Sequence, residues 1–245
     1  GNLLSSDAAV SSPLTAARTN IHRAAIVVLG SDDGLCGAYN VNIFKGMLGT
    51  LAAIRQEAGA DVEIEIVPVG KKMRRAVEKI CTTDPRLTLA APEGIDSKSD
   101  GDDIKAFARQ FEQRFLSGEL DKVVLQYMHF HSAGKQRLVA DNYLPISQDT
   151  LSGQTAHKAE GRPYLFEPDA ATIFSTVLPM YLLSVMQEAF AENRASEQAA
   201  RVMAMQSAND NAQNLLEQLQ LEYNKLRQQG ITTELLDIVG GQVRD

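Results

Sequence analysis

After Pro168, and as far as Val239, the chain holds a single proline, Pro179, and no glycine before Gly230. The residues between are rich in Ala, Leu, Gln, Glu and Met, which are the strongest helix formers. One continuous helix over that stretch is about 100 Å long at about 1.5 Å per residue. A compact domain built from the preceding residues is only about 40 Å across. The helix must therefore either fold back or run past the domain. Pro179 permits a kink near the start. No turn signal follows until Gly230, which favours the second outcome.

The later part of this helix carries a seam. Arg201, Met205, Ala208, Ala212, Leu215, Leu219, Tyr223 and Leu226 recur in steps of four and three. That is heptad spacing, the pattern of a helix that packs along another helix. Ala208 and Ala212 let a partner come close, while Leu216 and Leu221 lie off the seam. A buried Leu contributes about 1.5–3 kcal/mol, so leaving several in water is unfavourable. No second long helix is visible in the sequence. The partner is expected to be another polypeptide, or a segment not contained in this sequence.

The preceding residues have a different grammar. Residues 1–22 form a polar, Ser/Ala-rich lead-in with weak expected structure. Ala24 to Leu29 is an unbroken apolar run, as in a strand buried on both faces. A glycine turn, Gly30 to Gly37, leads into a helical pattern over Tyr39–Ala58, with Ile43, Met47, Leu51 and Ile54 on one face. Asp61 to Gly70 alternates as a strand with a wet face at its start, and Lys71 to Ile80 follows as a basic helix. Arg86 to Ala90 is a short strand, and Ile104 to Leu116 a helix with Phe107, Phe111 and Phe115 inward. Lys122–His131 and Gln136–Ile146 pair as a hairpin around Gly134, and a polar loop, Ser147 to Arg162, closes the region. Alternation of this kind makes a layered α/β sheet domain over 23–167, followed by the long helix over 168–245.

Composition narrows the function. Against 24 Lys+Arg stand 31 Asp+Glu, a net charge of −7, which argues against nucleic acid as the main partner. No uninterrupted apolar run approaches the roughly 20 residues of a bilayer span. Two cysteines, Cys36 and Cys81, have no CxxC spacing and supply neither a zinc site nor a disulfide framework.

Four places in the sequence could carry chemistry. The turn Gly30-Ser31-Asp32-Asp33-Gly34-Leu35-Cys36-Gly37 sits where a nucleotide loop sits, between a strand and a helix. Its spacing is GxxxGxxG, with two acidic residues and no GxxxxGK[ST], so a structural turn is the preferred reading. Asp32 and Asp33 could hold a metal, but acidic residues suit a helix start anyway. His129 and His131 share a strand face without a third ligand in view. Cys36 has no base near it in sequence and is expected to be a buried thiol. No acid, base and nucleophile assemble.

Two stretches carry a family resemblance. Ser31-Asp32-Asp33-Gly34-Leu35-Cys36-Gly37-Ala38-Tyr39-Asn40 resembles the S-D-R-G-L-C-G-x-x-N segment of the gamma subunits of F-type ATP synthases. Ser196 to Met205 (SEQAARVMAM) resembles their S-E-x-A-A-R-M-x-A-M segment, and the match continues through Asn209–Leu215, Tyr223-Asn224-Lys225 and Arg227-Gln228. Ile231 to Gly240 is similar to their closing I-T-x-E-L-x-E-I-V-x-G pattern. The hairpin with Tyr127 and Phe130, Leu144-Pro145, and Tyr164 to Asp169 also fit. The departures are Asp33 in place of Arg, Gly241 in place of Ala, and about twenty polar residues where the family has a long N-terminal helix.

The resemblance implies a Rossmann-like α/β domain plus a C-terminal helix that forms half of an antiparallel coiled coil. It explains the unpartnered seam: the other half is expected to be missing through truncation or cleavage. It also implies a non-catalytic rotor, the central stalk of a proton-translocating ATP synthase, without a cofactor of its own. The implied partners are the alpha and beta subunits, the epsilon subunit and the c-ring. The implied location is peripheral, on the cytoplasmic face of a bacterial inner membrane. Arg201, Arg227, Gln228 and Thr232 match family positions that contact the beta subunits. Two alternatives stand beside this reading, a nucleotide-binding α/β enzyme suggested by the glycine turn and a coiled-coil adaptor suggested by the seam.

Overall fold

A computed structural model describes residues 12–18, 20–147 and 170–242. The start of the lead-in, most of the loop expected over 147–162, and the Tyr164–Asp169 segment lie outside the described residues. Five strands form one mixed sheet in the order β3-β2-β1-β4-β5. They are β1 (Arg23–Leu29), β2 (Glu63–Val69), β3 (Leu87–Leu89), β4 (Lys122–Ser132) and β5 (Lys135–Leu144). β1 pairs in parallel with β2 and β4, and β2 in parallel with β3; β4 and β5 are antiparallel. The helices are α1 (Tyr39–Ala58), α2 (Lys71–Cys81), α3 (Gly101–Leu116) and α4 (Ala170–Gln242).

The apolar run of β1 explains the layering. Successive strand side chains point to opposite faces. Ala24, Ile26 and Val28 pack with Ile43, Met47, Leu51 and Ile54 of α1 and with Met73 and Val77 of α2. Ala25, Val27 and Leu29 pack on the other face with Phe107, Phe111 and Phe115 of α3 and with the first part of α4. A strand covered on both sides has no use for polar alternation.

β2 keeps the expected wet face at Glu63, which is exposed, and departs from it at Glu65. Glu65 lies under α3, where Arg114 donates to both of its carboxylate oxygens at 3.0 and 2.5 Å. The long guanidinium of α3 reaches the strand and covers Glu65 in an ion pair. The described part of the lead-in packs against the domain, which its composition does not suggest. Leu14 is buried in the core, the Ile146 amide donates to the Leu14 carbonyl at 2.8 Å, and Arg18 pairs with Asp121 at 2.9 Å.

α4 runs without interruption from Ala170 to Gln242, with Pro179 inside it. Phe174, Leu178, Leu182, Met186, Ala189 and Phe190 are buried against the sheet domain. By length and composition α4 contains a window apolar enough for a bilayer, but a third of that window is buried in this way. The chain divides into two compact units, Gly1–Arg201 and Val202–Asp245. The second unit is helical through Gln242, and from Met205 to Gly240 every side-chain position is exposed. Leu215, Leu219, Tyr223 and Leu226 of the seam are each more than half exposed.

Candidate functional site

The two signature stretches meet in the fold. The glycine turn leaves the end of β1 and is closed by Asn40 in the first turn of α1. The Asn40 Oδ1 accepts from the Ser31 amide at 3.1 Å, and its Nδ2 donates to Ser31 Oγ at 2.7 Å. Ser31 Oγ in turn donates to the Asp33 carbonyl at 2.9 Å. Leu35 takes a left-handed φ of 63° and points into solvent, 74% exposed. Cys36 is buried with its Sγ 3.5 Å from Asn40 Nδ2, as expected of a thiol that packs.

The two aspartates of the turn have separate duties. Asp32 Oδ1 accepts from the Lys71 amide at 2.9 Å, so it occupies the N-terminus of α2. Its Oδ2 accepts from the amide and hydroxyl of Ser97 at 2.9 and 2.7 Å. Burial pushes the Asp32 carboxyl up, but the Ser97 hydroxyl and the amides of Lys71 and Ser97 outweigh it and hold it below the ordinary range. Asp33 is exposed and pairs with Lys98 at 3.0 Å, and that hydrogen bond and charge lower its carboxyl. Four amides at and beside the turn are already engaged. The Ser31 amide goes to Asn40, the Lys71 amide to Asp32, the Lys72 amide to the Ser31 carbonyl and the Gly30 amide to Val69. These bonds give the turn a structural role.

Residues 192–201 of α4 clasp this turn and the neighbouring strand. Asn193 is 3% exposed. Its Oδ1 accepts from the Tyr39 hydroxyl at 2.7 Å and the Met128 amide at 3.4 Å, and its Nδ2 donates to the Gly30 carbonyl at 3.1 Å. Burial raises the Tyr39 phenol, with the charges of Glu197 and Cys36 adding to it, so the hydroxyl stays a donor. Ser196 Oγ donates to the Met128 carbonyl at 3.0 Å, and Glu192 accepts from the Phe130 amide at 2.7 Å. Arg201 Nε donates to the Gly34 carbonyl at 3.2 Å, and its Nη2 pairs with the buried Glu197 at 2.5 Å. Arg194 reaches the Ser99 carbonyl at 3.0 Å.

Of the four site residues named from sequence, only Arg201 belongs to this clasp. Arg227, Gln228 and Thr232 are exposed in the second unit, where the Thr232 hydroxyl donates to the Gln228 carbonyl at 2.9 Å. His129 Nδ1 lies 3.3 Å from Glu192, and no cluster of His, Cys, Asp and Glu suited to a metal occurs among the described residues. Sequence reasoning missed Asn193, Tyr39 and Ser196 as a set. A signal was present: Asn193 and Ser196 continue the buried phase of Phe174, Leu178, Leu182, Met186 and Ala189, so polar residues stand where the helix faces the core.

A doubly covered α/β sheet, clasped to a helix whose later apolar stripe is uncovered, is the build of a subunit that binds through a helix. The ATP synthase family model matches residues 1–243. A gamma chain of ATP synthase from Bacteroides fragilis is 39% identical over 242 residues, covering 99% of this chain and 81% of its own. One from Chromobacterium violaceum is 36% identical over 241 residues, covering 98% and 80%. The chain belongs to the ATP synthase gamma chain family. Among solved structures, the rotor of the Euglena gracilis mitochondrial ATP synthase matches with a TM-score of 0.56 at 22% identity, over 92% of this chain and 80% of that one. The central stalk and c-ring structure from Tetrahymena thermophila contains a chain that matches with a TM-score of 0.52 at 21% identity, over 78% and 79%. Both matches speak to the fold.

Proposed function

We propose that this gamma-type chain is the non-catalytic rotor shaft of a proton-translocating F-type ATP synthase. Its helical unit turns inside the alpha and beta subunits, and its sheet domain is held by the epsilon subunit and the c-ring. The site of action is the cytoplasmic face of a bacterial inner membrane. The observation that carries this reading is the division of α4. One part is locked into the sheet domain and the other offers an uncovered heptad stripe. A shaft acts by differential contact: an asymmetric element stabilises a different conformation of each surrounding subunit as it turns.

Arg201, Arg227, Gln228 and Thr232 are proposed as contacts to the beta subunits. Arg227 and Gln228 present exposed polar side chains that make no side-chain hydrogen bond or ion pair among the described residues. Arg suits bidentate capture of a partner carboxylate. Arg201 retains guanidinium donors beyond those given to Gly34 and Glu197.

The test is assembly. Expressed from its full gene together with alpha, beta, epsilon and membrane-sector subunits, the chain is expected to co-purify and to couple ATP hydrolysis to proton pumping. A complex that excludes the chain, or that hydrolyses ATP equally well and pumps equally well without it, overturns the reading.

A further inference from the structure

A helix that passes torque to a sheet domain needs its rotation about its own axis held, as well as its position. The contacts of α4 within the first unit are of two kinds. From Phe174 to Phe190 they are mainly apolar: Phe174, Leu178, Leu182, Met186, Ala189 and Phe190 are all buried in one cluster, and one hydrogen bond, from the Tyr143 hydroxyl to the Leu182 carbonyl at 3.1 Å, joins them. Hydrophobic burial is non-directional. Close packing there resists a turn of the helix, but without the steep dependence on angle that a hydrogen bond has. From Asn193 onward the contacts are mainly hydrogen bonds, whose strength falls steeply with misalignment, with Ala200 packed on the other apolar cluster.

The geometry around Asn193 is closed on three sides. Its Oδ1 accepts from Tyr39 of α1 and from the amide of Met128 in β4, and its Nδ2 donates to Gly30 at the end of β1. The backbone carbonyl of Asn193 lies 2.8 Å from the same Tyr39 hydroxyl, whose one proton is shared between the two Asn193 oxygens. One helical turn on, Ser196 binds the carbonyl of the same Met128 whose amide meets Asn193. The three side chains Tyr39, Asn193 and Ser196 are each 3% exposed or less. A buried polar set of this kind seldom adds net stability over well-packed apolar residues of the same volume. What it adds is a single allowed angle.

We infer that Asn193, with Tyr39 and Ser196, is the torsional lock of the rotor: it fixes the rotational setting of α4 on the sheet domain, while the apolar stripe before it supplies the adhesion. The inference rests on the shaft reading above. Asn193 is a positioning residue and touches no nucleotide. Its removal lowers the stiffness of the joint more than it lowers stability.

The experiment is angular fluctuation in the assembled complex. A bead is tied to the sheet domain, the alpha and beta subunits are fixed to a surface, and the rotor is stalled with a non-hydrolysable ATP analogue. Tyr39→Phe, Ser196→Ala and Asn193→Leu are compared with Leu178→Ala, which trims the apolar stripe. The three polar variants are expected to widen the angular variance about twofold or more, because directional bonds are lost. The Tyr39→Phe/Asn193→Leu pair is expected to widen it less than the sum of the singles, since they share a bond. Leu178→Ala is expected to lower the thermal midpoint by more than Tyr39→Phe does and to leave the variance unchanged. Should Asn193→Leu fail to assemble, Tyr39→Phe, which removes one oxygen, and Ser196→Ala decide the matter. A variance equal to wild type in those variants, or a widening that follows loss of stability equally in Leu178→Ala, overturns the lock. If the wild-type complex does not turn at all, the shaft reading itself fails and the lock falls with it.

Discussion

Single residues hold this fold at points where backbone meets backbone. Gly70 has a φ of 97°, and a Cβ there would stand 2.8 Å from the carbonyl carbon and oxygen of Ser31. Neither group can move without breaking the Lys72 to Ser31 hydrogen bond that joins the glycine turn to α2. Gly70→Ala is therefore expected to destabilise the domain by about 1–3 kcal/mol, measured by urea unfolding. Asp121 anchors the other end of the sheet, accepting from the His22 and Arg23 amides at 2.8 and 3.0 Å and from Arg18 at 2.9 Å. Burial raises its carboxyl, but the two amides and the guanidinium outweigh it and hold it below the ordinary range. A carboxyl lowered on folding contributes stability that is present above its unfolded value of about 3.9 and is lost as pH falls through the lower folded value. Asp121→Asn is expected to flatten the fall in thermal midpoint below about pH 4. An unchanged acid limb in that variant would remove Asp121 from the account. Glycine turns and lone aspartates of this sort are readable in sequence as features. Their partners are not, because Asp32 meets Ser97, and Asp121 meets Arg18, only through the fold.

Elements were the most legible level. The apolar spacing of α1 places it at Tyr39–Ala58, where it lies, because four inward residues on one face leave no other phase. α3 starts at Gly101, earlier than the expected Ile104. Its first turn is Gly-Asp-Asp, poor helix formers whose charges suit a helix N-terminus and so do not show as periodicity. The two parts of α4 should respond differently to the same truncation. Leu182 is 2% exposed and Leu219 is 54% exposed. Leu182→Ala is expected to cost about 2–5 kcal/mol in the isolated chain, and Leu219→Ala less than about 0.5 kcal/mol. Amide exchange should follow the same division, with slow exchange in α4 up to about Ala199 and fast exchange beyond it in a dilute sample of the lone chain. Packing supplies most helix stability in proteins, so full protection beyond that point would contradict the uncovered stripe.

At the scale of the whole molecule, the helical unit is expected to act only in a complex. Arg227→Ala with Gln228→Ala is expected to leave the fold and thermal midpoint of the chain unchanged, since both side chains are exposed. It is expected to lower ATP-driven proton pumping in the assembled enzyme by about tenfold, the effect of losing one charge-assisted contact. Pumping at the wild-type rate would remove both residues from the contact surface. Unaided, the sequence determined the kinds of element, their order, the greasy stripe of the last helix and the family resemblance, since each is written in local spacing and residue type. Only the tertiary structure decided that the glycine turn is filled by its own neighbours, that Glu65 is covered, and that Asn193 binds α1, β1 and β4 together. The reason is physical: periodicity reports which face of an element is buried, whereas a hydrogen bond between residues far apart in sequence exists only once the chain has brought their atoms within reach.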